Sequence, residues 1–88
     1  MEDLSFYVFI SKEILEMKEQ PKIVIHDFEG DWQILYSWEM NEENMKVISM
    51  DEAISIDNSI NEILDLPIGI YAEKGSKDEG WEFYKLKK

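Results

Sequence analysis

The chain lacks cysteine and arginine altogether, and its 88 residues include one histidine, two prolines and four glycines. Without cysteine it forms neither a disulfide nor a thiolate nucleophile, which is typical of proteins in a reducing compartment. Without arginine it lacks the forked side chain that most often recognises phosphate groups, so we do not expect it to bind nucleic acid. The longest uninterrupted apolar run, residues 6–10, is far too short to span a bilayer.

Acidic residues dominate the charged residues that are present. Twenty aspartates and glutamates against nine lysines give a net charge of −11; residues 74–88 hold five lysines and three acids, so residues 1–73 carry −13. Such a chain repels nucleic acid and anionic membranes and attracts a basic protein partner, although solubility alone is an alternative explanation of the charge. The acidic start of the chain lacks the basic segment of a signal peptide, and we expect a cytoplasmic protein.

Hairpins are the main structural signal along the chain. The predicted strands are rich in β-branched and aromatic residues and cover residues 5–10, 22–28, 32–38, 68–73 and 81–87, with a candidate edge strand at 45–49. A tight turn at residues 29–31 joins the second and third strands, and Gly30 can supply the positive φ that such a turn needs. Alternation along the third strand places Trp32, Ile34, Tyr36 and Trp38 on one face.

Short helices are predicted at three places between these strands. Ser11 can cap a helix that runs to Lys18, and Ser49 with Glu52 has the capping-box spacing before a brief second helix. The third helix covers residues 57–65. We therefore expect a single α+β domain over residues 1–88, with a mainly antiparallel sheet of about five strands and two or three short helices on one face.

Residues 56–69 combine the third helix, a proline stop and the start of a strand. One apolar helix face is predicted by the i, i+4, i+7 and i+8 spacing of Ile56, Ile60, Ile63 and Leu64. Either Asp57 or Ser59 is suited to cap its start. Pro67 lacks an N–H and disfavours helix at the preceding residue, so the helix should end near Asp65. Gly69 then marks a bulge or a close approach by another backbone.

The same stretch resembles a bacterial family called the domain of unknown function 2185, or the immunity protein 33 type. The shared residues are Asp57, Ser59, Ile60, Ile63, Leu64, Pro67 and Gly69. Residues 9–14 are similar to the opening strand and turn of that family, and residues 30–34 are similar to its Asp-x-Gly-Trp-x-Phe segment, with Gly30 and Asp31 transposed. The acidic loop at 39–44 matches an acidic run. The resemblance implies a small acidic protein that neutralises a toxin by binding it.

No set of residues in the sequence predicts catalysis or metal binding. His26 is the only histidine, and no nucleophile or orienting partner accompanies it, which favours a structural role. The spacing of Asp27, Glu29 and Asp31 offers oxygen ligands for calcium, but the sixth position of that loop is not glycine and the twelfth is not glutamate. We therefore predict no catalytic residue, no metal ligand and no cofactor, and we do not expect an enzyme.

Trp38 and the acidic residues that follow it predict a recognition patch, because tryptophan is enriched at interface hot spots and the loop adds negative charge. A solvated loop after a strand is the alternative interpretation. The candidate partner-binding residues are Asp27, Glu29, Asp31, Trp38, Glu39, Glu42 and Glu43. The predicted function is a non-catalytic binding protein for a basic partner, which the resemblance would make a toxin domain. A stand-alone α+β domain with a regulatory or scaffolding role is the alternative.

Overall fold

The structure, a computed structural model, describes residues 4–39, 42–75 and 80–87. The strands are β1 (Tyr7–Ser11), β2 (Ile23–His26), β3 (Trp32–Leu35), β4 (Met45–Ser49), β5 (Ile70–Lys74) and β6 (Trp81–Lys85). Helix α1 (Lys12–Glu16) follows β1, and helix α2 (Met50–Ile56) follows β4. Two 3₁₀ helices complete the described elements: η1 (Glu42–Asn44) precedes β4, and η2 (Asn58–Ile63) follows α2.

The six strands form one mixed sheet in the order β4-β1-β3-β2-β5-β6. Four of the five pairings are antiparallel, and β1 pairs with β3 in parallel. The connection through α1 leads from β1 to β2, which lies two positions away in the sheet. The β2–β3 hairpin then places β3 between β1 and β2, where it pairs with both. The expected, mainly antiparallel sheet of about five strands therefore differs from the observed sheet in its strand count and in this parallel pair.

Helices pack against one face of the sheet, which we call the covered face. Its central strand residues are Val8, Ile10, Val24, Ile34 and Ala72, and they share a buried cluster with Ile14, Met50, Ala53, Ile60 and Ile63 from the helices. The opposite face, which we call the open face, has its own small buried cluster of Ile23, Ile25 and Leu35. No helix residue belongs to that second cluster in the described part of the chain, so the sheet has a helical layer on one side.

The α2–η2 segment crosses the covered face from β4 at one edge to β5 near the other. As predicted, Ser49 caps α2, because its Oγ accepts the backbone N–H of Glu52 at 3.2 Å. The third helix predicted at 57–65 is present as η2, with Asp57 as its cap, but it is a 3₁₀ helix and ends at Ile63 rather than near Asp65. Asp57 is extended, with φ −144°, and its carboxylate accepts the N–H of Ser59 at 2.9 Å, so a separate 3₁₀ helix begins there. Ile56, expected in the core, is consequently 43% exposed.

The first helix is also shorter than predicted. It ends at Glu16 rather than Lys18, which adopts a left-handed φ of 57°. Ser11 makes no side-chain capping bond, since it is the last residue of β1, is buried, and pairs with Met45. Strand pairing therefore takes the residue that the sequence pattern assigned to helix capping.

Two glycines have the positive φ that side-chain-bearing residues rarely adopt. Gly30, at φ 87°, closes the β2–β3 turn as predicted, with its N–H bonded to the Asp27 carbonyl. Gly69 has the same φ, and a Cβ built there would lie 3.0 Å from the Phe28 ring. The Phe28 ring thus occupies the space beside Gly69. Other backbone also approaches closely, as predicted, because the Gly69 N–H donates to the His26 carbonyl at 2.7 Å and the Gly69 carbonyl accepts the Leu86 N–H at 2.8 Å.

Lys74 and Trp81 connect the β5–β6 hairpin to η2 on the covered face. The Lys74 ammonium lies 2.5 Å from Ser59 Oγ and 3.5 Å from an Asp57 carboxylate oxygen, and it sits 4.8 Å from the centre of the Trp81 ring. The Trp81 indole N–H donates to the Ser59 carbonyl at 3.1 Å. These contacts satisfy polar groups at the start of η2 and fix the hairpin beneath it.

Replacement of Ile63 by alanine tests the covered-face core. Ile63 is 1% exposed, and loss of its side chain should lower the free energy of unfolding by roughly 2–4 kcal/mol, through lost burial and the cavity left behind. Chemical denaturation provides the measurement. The exposed neighbour Glu62 is the control, since Glu62→Ala should change stability by less than about 0.5 kcal/mol. Equal effects of the two substitutions would contradict this packing.

Candidate partner-binding surface

The Asp27 carboxylate organises the β2–β3 turn. Its Oδ1 accepts the backbone N–H groups of Glu29 and Asp31 at 3.0 and 2.9 Å, and its Oδ2 accepts the Gln33 side-chain amide at 3.0 Å. Hydrogen bonds from backbone N–H groups to an aspartate carboxylate stabilise a tight turn. The side chains of Glu29 and Asp31 are exposed beyond it. Of these three predicted partner-binding residues, Asp27 thus has a clear structural task of its own.

Trp38 and the acidic residues after it lie at the opposite end of the sheet from that turn. Pairing of His26 with Trp32 places the turn at one end of β3, and Trp38 follows the other end. Glu39 is exposed, and its backbone N–H bonds to Ser37 Oγ. Met40 and Asn41 of the predicted acidic loop lie outside the described residues. The structure therefore does not bring the turn and the loop together.

The predicted loop also divides after Trp38. Trp38 turns toward β5, where its ring meets Tyr71 edge-on at 5.1 Å, whereas η1, which contains Glu42 and Glu43, leads into β4 at the far edge. With strands about 4.8 Å apart, β4 and β5 are separated by roughly 19 Å. The expected alternation of Trp38 with Trp32 was wrong, because β3 ends at Leu35 and Trp38 reaches the open face instead.

A continuous row of side chains crosses all six strands on the open face. Cross-strand pairing places side by side, in order, Val47, Phe9, Gln33, Ile25, Tyr71 and Tyr84. We call this set the central row. Gln33 is its one polar member, and its amide is bonded to Asp27. The open face therefore has a mainly apolar row across its width, which Gln33 interrupts and in which Ile25 is only 7% exposed.

Aromatic rings and carboxylates meet where the central row reaches β5 and β6. We call Trp38, Tyr71, Glu73, Glu82 and Tyr84 the β5–β6 corner. Tyr71 stacks on Tyr84 at 5.2 Å, Trp38 Nε1–H donates to Glu73 Oε2 at 2.8 Å, and the Tyr84 hydroxyl donates to Glu82 Oε2 at 2.5 Å. Each carboxylate is thus held by an aromatic donor.

Glu73 and Glu82 are directly opposite each other on β5 and β6. Like charges in this position destabilise a sheet, because the two side chains start about 5 Å apart. The hydrogen bond to Glu82, with the negative charges of Glu82 and Glu73, raises the pKa of Tyr84 above its ordinary value. Ionisation of this tyrosine would remove a donor and add a third negative charge. The corner is therefore a local concentration of negative potential on an aromatic surface.

His26 has a packing role on the covered face. Its ring stacks on Trp32 at 4.1 Å, and its Nδ1–H donates to the Leu66 carbonyl at 2.6 Å. Within residues 4–39, 42–75 and 80–87, no three histidine, aspartate or glutamate side chains converge to hold a metal ion. No helix in the same ranges combines the length and apolar character needed to cross a membrane.

Two grooves adjoin each other, and Glu19 and Lys74 line both of them. The larger, of about 670 Å³, lies between α1 and the end of α2, with Ile14, Pro21 and Lys74 among its lining residues. The smaller, of about 430 Å³, runs beside Trp38 and Glu73. Lys22 and Lys74 also line the smaller groove, and the Lys74 ammonium is engaged by Asp57 and Ser59.

Sequence reasoning selected Trp38 but missed its neighbours Tyr71, Glu73, Glu82 and Tyr84. Alternation alone places Glu82 with Tyr84 on one strand face, and Tyr71 with Glu73 on another. Which faces coincide depends on the register of the β5–β6 hairpin, and its connection spans residues 75–80 with no short-turn signature. The sequence therefore predicts which residues share a face within each strand, but not which faces of β5 and β6 lie on the same side of the sheet.

Comparison of the chain with models of protein families, with curated proteins and with solved structures finds no match. The resemblance to the domain of unknown function 2185 family therefore rests on the residues quoted above. Functional argument must come from the chemistry of the surface itself.

Substitution of Glu82 by glutamine should lower the pKa of Tyr84 toward its ordinary value, because the charged acceptor is lost. The difference in phenolate absorbance between each protein and its Tyr84→Phe counterpart isolates this tyrosine. Because folding raises its pKa, Tyr84 adds stability below its ordinary pKa and loses that contribution as pH rises through the folded value. Glu62→Gln, far from the ring, is the control, and an unchanged titration in Glu82→Gln would contradict the assignment.

Proposed function

We propose that this chain is a non-catalytic binding protein that captures a basic protein partner in stoichiometric contact. The observation that carries the proposal is the sign of its surface. In the described part of the chain, eleven carboxylate side chains are exposed against five lysines. A field of this sign accelerates encounter with a basic surface and disfavours nucleic acid and anionic membranes.

The resemblance to the domain of unknown function 2185 family supplies the biological form of this proposal. If it holds, the chain is an immunity protein, the partner is a toxin domain, and the complex forms in the cytoplasm. The aromatic residues exposed beside carboxylates support a protein partner, since tyrosine and tryptophan provide rigid contact area at interfaces. The direct test is co-expression with the basic domain encoded by a neighbouring reading frame. Rescue of growth and a one-to-one complex are the expected results.

Reversal of the predicted acidic loop examines how charge contributes to capture. The variant Glu39→Lys, Glu42→Lys and Glu43→Lys should associate with that basic domain several-fold more slowly at low salt. Its rate should also depend less on salt, because long-range attraction is reduced. Stopped-flow fluorescence at several salt concentrations provides the measurement.

A control variant reverses three exposed acids in or just after the helical segments, Glu16→Lys, Glu62→Lys and Asp65→Lys, with the same change in net charge. A larger effect of the loop variant indicates that the loop faces the partner. Equal effects indicate attraction by net charge alone. Association of both variants at the original rate and salt dependence would refute electrostatic capture.

A further inference from the structure

The open face has the composition of a surface that is covered in a complex. Sheets in small domains usually bury each apolar face against a second layer, and large exposed apolar patches mark interaction sites. Here Tyr7 is 77% exposed and Val47 is 56% exposed, and Phe9, Trp38 and Tyr84 are exposed on the same side. None of the helices in the described residues packs there.

Charge is segregated between the two faces. Within the strands, Lys46, Lys74 and Lys85 all occupy covered-face positions. Among the described strand residues none on the open face is a lysine, whereas Glu73 and Glu82 are adjacent there. The central row therefore ends beside two carboxylates with no lysine at a described strand position of the same face, although Lys22 and Lys74 line the smaller groove next to Glu73.

Both carboxylates are oriented before any partner arrives. Trp38 holds one oxygen of Glu73, and Tyr84 holds one oxygen of Glu82, so the side chains are already restrained. Restraint of this kind reduces the entropy lost on binding. A cation brought between the two carboxylates would also relieve their mutual repulsion and lie against aromatic rings, which attract cations.

We propose that the open face is the docking surface for the basic partner. A lysine- or arginine-bearing segment contacts the β5–β6 corner, and apolar residues of that segment cover the central row. This inference rests on the proposed function and specifies its location. Charge selects the occupant: a second copy of this chain would bring the same carboxylates together, and phosphate-bearing surfaces carry the wrong sign.

The first test maps where a cationic segment binds. The probe is a decapeptide that alternates arginine with leucine, and a glutamate–leucine peptide of equal length is its control. Backbone and indole N–H resonances of the full chain are followed by NMR during titration at low salt. We expect the shifts to cluster on the open face, at Phe9, Val47, Tyr71, Tyr84 and the Trp38 indole.

The second test uses one pair of variants matched in net charge and one pair matched in exposure. Glu73→Gln with Glu82→Gln should weaken binding of the arginine peptide about fivefold. Glu62→Gln with Asp65→Asn, which makes the same change in net charge away from the face, should weaken it much less. Val47→Lys should also weaken binding more than Ile68→Lys, since both residues are 56% exposed and only Val47 lies on the open face. Thermal melts establish that each variant is folded.

The outcomes separate the location from the function. Shifts confined to the Asp27–Asp31 turn, α2 or η2, or equal effects of the matched variants, would overturn the open face as docking surface and leave a cation-binding acidic protein. Absence of binding to the arginine peptide, or equal binding of the glutamate peptide, would overturn both proposals. Dimerisation of the free chain that the Val47→Lys variant abolishes would assign the face to a second copy instead.

Discussion

The helical segments that the structure describes are long enough to cover one face of the sheet and not two. Helix α1 has five residues, α2 seven and η2 six, whereas six strands extend roughly 24 Å across. Every fully buried residue of the described helices packs in the cluster around Ile34 and Val24. Side chains alone must therefore shield Ile23, Ile25 and Leu35 on the other side, and Tyr71 contributes to this. Because the helices are too short to cover both faces, the core forms on one face and aromatic side chains stay exposed on the other.

The position of the acidic groups within the fold matters as much as their number. Glu73 and Glu82 lie on paired strands, and hydrogen bonds from Trp38 and Tyr84 restrain their carboxylates, so the positions of the two negative charges are defined. Acids in turns serve a different purpose, as Asp27 does when it bonds two backbone N–H groups. A chain with a large negative charge therefore contains carboxylates that build the fold, others that are exposed to solvent, and a pair that we propose takes part in partner binding.

Several structural features that depend only on residues close together in the sequence were predicted correctly. The bounds of β4, the cap at Ser49 and the positive φ of Gly30 follow from local chemistry, and the structure has all three. The strand order, the parallel β1–β3 pair and the register of β5 against β6 depend on residues distant in sequence. For the same reason Trp38 was selected as a site residue, but its partners on β5 and β6 were not. Local sequence pattern predicts where the strands are, but it does not predict which strands pair with each other.

The strand order divides the sheet at the border between β2 and β5. The first four strands made, residues 7–49, are also four contiguous strands, so they can pair while the rest of the chain is still on the ribosome. During that interval β2 is an edge, and Ile23, Val24 and Ile25 stand beside unpaired backbone groups. Such an edge readily pairs with a strand of another chain. Arrival of β5 ends the exposure, so the speed with which the C-terminal hairpin docks sets how long a nascent chain is vulnerable to aggregation.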